Sequence, residues 1–301
     1  MSTEASSPVD ARISLNGKKW CFGKFIDQST TELIVDDGVI CGHVDPETMG
    51  ELDGREINVF TITLSPTMPM LRDLMRFIGM DVESGSGTGS GDGTGPYYGG
   101  LTLDPLEVIV DKVGAIHKWD TAWMNRLIIR GQLGTIPISV EMQFIAKREE
   151  KITSFTAPKG DSGFIFGFPN TAYNIDASPY LVNQFAIVID RNLVSSWNSD
   201  IYITDMLRGK RDTLLATSIP YTDANQPVYW NNKRTTTARD IDLTFTNGIE
   251  SVKFRFPLAK MLAKSPSIES AVSEIRLPHT WRARRDDDPV TDAFSVEFIT
   301  L

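Results

Sequence analysis

The three histidines are the first candidates for chemistry in this chain of 301 residues. His43, His117 and His279 stand in separate segments, and none has another metal-ligating side chain at the spacing that zinc or catalytic motifs use. The sequence also lacks the short signatures of metalloproteases, α/β-hydrolases and protein kinases. The histidines therefore predict no metal site and no cofactor.

Carboxylates are the next candidates. Glu107 and Asp111 share one face of a predicted strand, so their carboxyl groups could mimic the acid pair of a glycosidase, although a solvated strand face is the preferred interpretation. The acidic run at residues 286–288 lies among arginines, which favours a mixed-charge loop over a cation site. Neither group comes with a nucleophile, a base and an oxyanion hole, so we expect a protein that is not an enzyme.

The glycine-rich tract at residues 84–95 needs a comparison with phosphate-binding loops. Such loops follow a strand, open a helix and usually contain a lysine. Here Pro96 and two tyrosines follow, with no lysine and no helical pattern. The tract therefore predicts a flexible, solvated loop.

Charge and composition exclude further classes. The net charge is −9 at pH 7; residues 1–150 carry 22 acidic against 13 basic residues, and residues 151–301 carry 17 of each. An acidic surface repels phosphate backbones, which argues against tight nucleic-acid binding. No apolar run is long enough to span a membrane, and residues 1–12 lack the apolar core of a signal peptide, so we expect synthesis in a cytoplasm. Cys21 and Cys41 are interpreted as buried thiols, with a cross-strand disulfide as the alternative.

The elements that must position these residues centre on residues 55–79. The apolar, β-branched run at residues 57–64 predicts a strand, and Ser65-Pro66 ends it and caps a following helix. Gly79 stands where the C-terminal cap of that helix belongs. The apolar residues of the helix form one stripe and are expected to pack on the sheet: Met70, Leu71, Leu74, Met75, Phe77 and Ile78.

The rest of the chain has the pattern of short strands. In residues 136–144, apolar and polar side chains alternate with the period of a half-buried strand. Asp36-Asp37-Gly38 and Asn247-Gly248 predict tight turns, one in each half. In the second half a strand over residues 213–219 reaches Pro220, and a short cover over residues 220–230 takes the place of the earlier helix.

The similar order of elements in the two halves predicts a duplication. The expected organisation has an N-terminal arm at residues 1–12 and a first domain at residues 13–150 that contains a flexible loop at residues 81–100. A linker at residues 151–179 then leads to a second domain at residues 180–301.

This plan resembles the tail tube, or major tail, proteins of long-tailed bacteriophages. The likeness rests on the strand that runs into Ser65-Pro66-Thr67-Met68-Pro69-Met70-Leu71 and its helix, on the strand at residues 136–146, and on the segment 281–301. The resemblance implies a mainly β fold of two tandem β-sandwich or split-barrel domains, each with a short flanking helix. Inner sheets of neighbouring domains would join into a ring-shaped β-barrel. The second half departs from the family because it lacks a clear Leu/Met-rich helix.

The resemblance also implies a function. The chain would be a structural virion protein, assembled in the host cytoplasm, that polymerises as stacked rings into the phage tail tube. Genome DNA would pass through the lumen without specific binding, and no membrane would take part. The partners would be further copies of the chain and other tail proteins. Three chains would supply six domains and form a trimeric, pseudo-hexameric ring, and a hexameric ring of chains with an outward second domain is the alternative.

Two sets of candidate residues follow from the resemblance. Acidic and polar strand residues would line the lumen and keep DNA moving by denying its phosphates a cationic anchor. The candidates for this lining are Glu107, Asp111, Glu141, Gln143 and Glu297. The alternative is that they are ordinary solvent-exposed strand positions. The N-terminal arm and the glycine-rich loop would lock one ring onto the next through a second set: Pro8, Arg12, Gly91, Asp92, Tyr97 and Tyr98.

Two other functions remain open at the level of the sequence. A tail-terminator or baseplate ring protein would form one ring and never stack. A carbohydrate-binding β-sandwich would stack tryptophans on sugars, although tryptophan in a β protein usually lies in the core or at an interface. The candidates for sugar stacking are Trp119, Trp123, Trp197, Trp230 and Trp281.

Overall fold

The computed structural model shows a mainly β chain. It describes residues 12–20, 24–35, 51–82, 97–99, 103–111, 115–156, 163–197, 202–234, 237–262, 276–284 and 293–300. Within these residues it contains 21 strands and two α-helices.

The first half contains eleven strands and helix α1. Their bounds are β1 (Arg12–Leu15), β2 (Lys18–Trp20), β3 (Lys24–Asp27), β4 (Thr30–Val35), β5 (Glu51–Leu64), α1 (Met68–Phe77), β6 (Met80–Val82), β7 (Tyr97–Gly99), β8 (Leu106–Asp111), β9 (Ile116–Gln132), β10 (Thr135–Ala146) and β11 (Glu150–Ile152).

The second half contains ten strands and helix α2, after a 3₁₀ turn at Phe168–Asn170. Their bounds are β12 (Thr171–Ile175), β13 (Ser178–Tyr180), β14 (Gln184–Asp190), β15 (Val194–Ser196), β16 (Asp205–Leu207), β17 (Asp212–Pro220), α2 (Asn225–Arg234), β18 (Arg239–Thr246), β19 (Glu250–Leu262), β20 (Arg276–Arg282) and β21 (Ser295–Thr300).

Helix α1 follows β5 as the sequence predicts, but its N-cap position is Thr67, whose side chain makes no capping hydrogen bond. The prediction of Ser65 as the cap is wrong. Pro69 can occupy only the first turn of a helix, so the helix begins at Met68 and the chain stays extended until Thr67. At the other end Gly79 has a φ of 75°, and its N–H donates to the carbonyl oxygen of Arg76 over 2.8 Å. Gly79 therefore ends the helix with a positive φ as the sequence predicts, one residue after the C-cap Ile78.

The apolar stripe of α1 lies in the main hydrophobic core. Phe77 is half-buried, and its ring stacks on Trp20 of β2 with centroids 6.2 Å apart. The other members of the stripe are buried: Met70, Leu71, Leu74, Met75 and Ile78.

Eight strands form one continuous antiparallel run, which we call the long sheet. Its order is β3-β5-β10-β9-β14-β17-β20-β19, with only the end of β19 taking part. The first four strands come from the first half of the chain and the last four from the second half. The pairing of β9 with β14 joins the halves, with Gln132 opposite Gln184 at one end and Arg126 opposite Asp190 at the other.

A second layer covers one face of the long sheet in each half. Strands β9 and β19 are long enough to take part in both layers. The first part of β9 pairs with β8, which pairs with β1, and the first part of β19 pairs with β18, which pairs with β12. Phe60 of the long sheet and Trp119 of the second layer lie with ring centroids 4.3 Å apart, so the core fills the space between the layers.

The pairing pattern of the first half recurs in the second. Strands β1, β2, β3, β5, β8, β9, β10 and β11 pair among themselves as do β12, β13, β14, β17, β18, β19, β20 and β21. Each helix follows the strand at the equivalent position, β5 or β17. The hairpins β1–β2 and β12–β13 even share a two-residue turn with positive φ, made by Asn16-Gly17 and by Asp176-Ala177.

One prediction about the second half needs correction. Residues 171–180, which the sequence predicts to be part of a linker, form the β12–β13 hairpin and pair with β18. The cover after Pro220 is a ten-residue helix, α2, in agreement with the expected short flanking helix, although it lacks a Leu/Met-rich stripe. Pro227 does not prevent this helix because it lies in the first turn, where no intrahelical N–H bond is lost.

None of the helices in the described part has the length and apolar composition that crossing a membrane requires.

Some predicted features lie outside the described residues. These are the turn at residues 36–38, the glycine-rich tract, the acidic run at residues 286–288, Cys21, Cys41 and His43.

Candidate functional site

The long sheet has one face against the core and one face turned away from it, which we call the open face. Val140, Met142 and Phe144 of β10 are fully buried, whereas Glu141 and Gln143 alternate with them and lie on the open face. Register places the matching side chains of the neighbouring strands beside them. A polar recess of about 150 Å³ results, lined by Gln28, Thr61, Arg126, Ile128, Glu141 and Gln143.

Three arginine–carboxylate pairs lie on the open face, each between neighbouring strands. Between β9 and β10, Arg130 Nη1 lies 2.7 Å from Glu141 Oε2. Between β9 and β14, Arg126 Nε lies 3.7 Å from Asp190 Oδ2.

The third pair joins β17 and β20. Arg282 binds Asp212 with two nitrogens, and its Nε donates to Oδ1 over 2.8 Å. This guanidinium holds the pKa of Asp212 below its ordinary value. Both groups keep substantial exposure, so the pair adds little to stability.

The two ends of the long sheet differ from its interior. Strand β3 pairs with β5 on one side and with no other strand of the described residues. Gln28 N donates to Val59 O over 2.7 Å, and N–H directions alternate along a strand, so the N–H of Asp27 points away from β5. At the far end, β19 pairs with β20 up to Leu262. Ile26 and Leu262 are among the exposed large apolar residues, at 36% and 37%.

The junction between β9 and β14 shows how two halves meet when both strands have partners. Ile129 lies opposite Ile187 and Leu127 opposite Ile189 on the core side, and all four are buried. Gly131 lies opposite Phe185 so closely that a Cβ on it would lie 2.5 Å from the ring. The two halves therefore share one core at this junction.

The five residues predicted to line a lumen do not share one surface. Glu141 and Gln143 lie together on the open face. Glu107 and Asp111 lie on β8 in the second layer, where Glu107 is 3.1 Å from Lys118 Nζ. Glu297 lies on β21, opposite Lys253 of β19. Alternation along a strand shows that a residue faces away from the core, but it does not show which layer the strand joins.

The residues predicted to hold rings together are only partly described. Tyr97 and Tyr98 belong to β7, whose backbone pairs with β6 and, at Tyr97, with Val296 of β21. Arg12 opens β1, opposite Asp111. The remaining three lie outside the described residues: Pro8, Gly91 and Asp92.

The two described histidines, His117 and His279, lie in different halves of the chain and do not form a common site. His117 contacts Glu149 through Nδ1, whereas His279 is buried in the second half. No group of three metal-ligating side chains exists among the residues that the structure describes.

Sugar stacking by most of the tryptophans is excluded by burial. Trp119 and Trp281 are fully buried and Trp123 is 6% exposed, so their rings have no face for a ligand. Trp197 and Trp230 are half-buried against the hydrophobic clusters. The prediction that these residues could form a sugar platform is wrong for the three buried rings.

The arginines of the open face are the functional candidates that the sequence analysis missed. Arg126 and Arg130 alternate with the buried Leu127 and Ile129 on β9, which is a readable period-two signal. The partner of Arg126 could not be found in this way, because Asp190 comes from the other half of the chain and meets Arg126 only through the register of β9 with β14.

Comparison with known proteins agrees with this architecture. Residues 28–283 match the family model described as phage tail tube protein. No curated protein matches the chain. The match covers the strand–helix unit, seven of the eight strands of the long sheet and the junction between the halves, and it begins immediately after β3. The chain belongs to the phage tail tube protein family and is a structural component of the virion tail.

Proposed function

We propose that this tail protein polymerises as stacked rings into the tube through which genome DNA leaves the capsid. The observation that carries the proposal is the junction between β9 and β14. It joins the last long-sheet strand of one half to the first long-sheet strand of the other.

The same junction can be repeated between chains. By the recurring pairing pattern, β3 is the counterpart of β14, and β19 is the counterpart of β9. These two strands stand at the opposite ends of the long sheet. Pairing β19 of one chain with β3 of the next would repeat the internal junction and would leave no free edge of the long sheet once the ring closes.

Two tandem domains per chain follow from this proposal, and so does a ring of three chains with six domains. The open face would line the lumen, with Glu141 and Gln143 on it. Glu107, Asp111 and Glu297 would then lie on the outer surface, because they belong to strands of the second layer. We assign the contacts between stacked rings to the arm at residues 1–12 and the loop at residues 81–100.

The mass of the smallest ring tests the stoichiometry. Three chains of 33.5 kDa give about 100 kDa and six give about 200 kDa, two values that native mass spectrometry separates easily. Negative-stain electron microscopy of concentrated protein should show rings and stacked tubes. Rings that never stack would favour a tail-terminator or baseplate role, and a protein that stays monomeric under all conditions would contradict the proposal.

A substitution at the edge of β3 tests the proposed junction. Asp27→Pro removes an outward N–H group from this edge, whereas Asp27→Ala removes the same carboxylate and keeps the N–H. We expect the proline variant to fold but to form no rings, and the alanine variant to assemble. Circular dichroism checks folding in both, and equal assembly of the two variants would argue against β3 as a joining strand.

A further inference from the structure

The open face poses an electrostatic problem for a surface that DNA must pass. Arg126, Arg130 and Arg282 lie on it, and an exposed arginine is a strong ligand for a phosphate group. Register places six basic side chains on the described part of this face, the others being Lys24, Lys260 and Arg276. An unmodified row of cations would hold DNA, although the whole chain is acidic.

The carboxylates of the same face are all paired with these arginines. Register places Glu141, Asp190 and Asp212 on the described part of the open face, and each lies against one arginine of a neighbouring strand. In each pair the arginine is more exposed than the carboxylate: 51% against 33%, 44% against 27%, and 49% against 27%. Two nitrogens of Arg282 and one of Arg130 are thus bound to a carboxylate, whereas Arg126 lies 3.7 Å from Asp190, within ion-pair but not hydrogen-bond distance.

Stability does not explain these pairs. Ion pairs of this exposure contribute at most about 1 kcal/mol each, because solvent screens them and long side chains lose entropy. Their shared position on one face, one pair at each of three strand junctions, places them where passing DNA would meet them.

We propose that Glu141, Asp190 and Asp212 mask the arginines of the open face against the phosphates of passing DNA. This inference rests on the proposed function, in which DNA meets that face. A phosphate that approaches Arg130 competes with Glu141, which already binds one guanidinium nitrogen, and is repelled by the Glu141 carboxylate. The face therefore keeps its arginines without offering them as anchors.

The test removes the masks and measures DNA binding. The triple variant Glu141→Gln, Asp190→Asn, Asp212→Asn frees three arginines while preserving side-chain shape. The matched control is Asp176→Asn, Asp240→Asn, Asp242→Asn, which removes three carboxylates from ion pairs with Arg239, Arg255 and Lys253 in the second layer. Both variants change the net charge equally.

Fluorescence anisotropy with a 20-base-pair duplex over a range of salt concentrations is the measurement. We expect the open-face variant to bind at least tenfold more tightly than the wild type at 50 mM salt. Three additional phosphate contacts should steepen the salt dependence enough to abolish a tenfold gain by 200 mM salt, because their contribution to the affinity falls by roughly 40-fold between 50 and 200 mM. The second-layer variant should gain less, because the open face adds Lys24, Lys260 and Arg276 to its three freed arginines.

Restoring the wild-type behaviour completes the test. Adding Arg126→Gln, Arg130→Gln and Arg282→Gln to the open-face variant should abolish the new binding. Equal binding by the open-face and second-layer variants, or binding that survives removal of the arginines, would overturn the masking proposal. The same samples examined by electron microscopy report on ring formation separately, so a failure of the tube proposal is distinguishable from a failure of masking.

Discussion

His279 shows how one buried side chain couples the core to pH. It lies on β20 with no exposed surface, its ring stacks on Tyr229 at 5.7 Å, and its Nε2 has no hydrogen-bond partner within the described residues. Burial lowers the pKa of His279 to about 4. The neutral imidazole therefore fits this core, and the imidazolium does not.

The free energy of unfolding should depend on pH between about 4 and 6.5. In that window the unfolded chain binds a proton at His279, at a pKa near 6.5, and the folded chain does not, so stability is lost as the pH falls. The loss should reach roughly 3 kcal/mol, measured by urea denaturation at several pH values. His279→Phe, which can keep the stacking on Tyr229, should flatten this dependence.

The control for this prediction is His117→Gln. His117 is half-buried in the β9–β11 ladder, contacts Glu149 and stacks on Trp119 with centroids 6.2 Å apart. This variant should keep the dependence between pH 4 and 6.5. A dependence that survives His279→Phe unchanged would assign it to carboxylates instead.

Tyr173 tests the polar contact that links the two layers of the second half. The Nε1 of Trp281 on β20 donates to the hydroxyl of Tyr173 on β12 over 2.7 Å, and both rings are buried. Tyr173→Phe leaves that indole N–H without its acceptor and should cost about 1–3 kcal/mol in the free energy of unfolding. Tyr180→Phe, at a half-buried position, should cost much less in the same urea titration.

At the level of elements, the sequence predicts correctly those helices and strands whose boundaries depend on neighbouring residues. The strand into α1 and its glycine cap were found because two prolines, an apolar stripe and Gly79 all act within a few residues of where they stand. The β12–β13 hairpin was missed because its turn is Asp176-Ala177, with φ of 50° and 62°. Alanine is uncommon at positive φ, so no turn signature marks the place.

The pairing of strands could not be predicted from the sequence for a different reason. The lumen candidates were chosen by alternation along single strands, which correctly gave Glu141 and Gln143 an outward direction. Only register shows that β10 belongs to the long sheet and that β8 and β21 belong to the second layer. Such pairings join residues far apart in the chain, and no local preference encodes them.

The junction of β9 with β14 gives a prediction for these elements. Gly131→Ala would bring a methyl group 2.5 Å from Phe185 and 2.9 Å from Phe168. We expect a loss of about 1–3 kcal/mol in stability from overpacking, measured by thermal or urea unfolding. Adding Phe185→Leu should recover part of the loss, because it removes the ring that the new methyl meets. No recovery would indicate strain elsewhere in the backbone.

For the whole molecule, the recurring pairing pattern means that the internal β9–β14 junction predicts the geometry of the proposed β19–β3 junction between chains. Lys24 precedes Phe25 on β3 as Gln184 precedes Phe185 on β14, and both phenylalanines pack against the core. A photoreactive benzoylphenylalanine at Lys24 therefore stands where the same probe at Gln184 would meet β9. Probes at the two positions therefore test an external junction and an internal junction by the same crosslinking measurement.

The two probes should give crosslinked products that differ only in whether they join residues of one chain or of two chains. The probe at Gln184 should crosslink within its own chain, near Gln132, which lies opposite it. The probe at Lys24 should crosslink to another chain, near the end of β19, and mixing ¹⁵N-labelled with unlabelled protein identifies such products by mass spectrometry. Crosslinks from Lys24 confined to its own chain in assembled material would mean that β3 does not join subunits. A ring, if it forms, would then have to close through a different edge, because the internal junction would have no external counterpart.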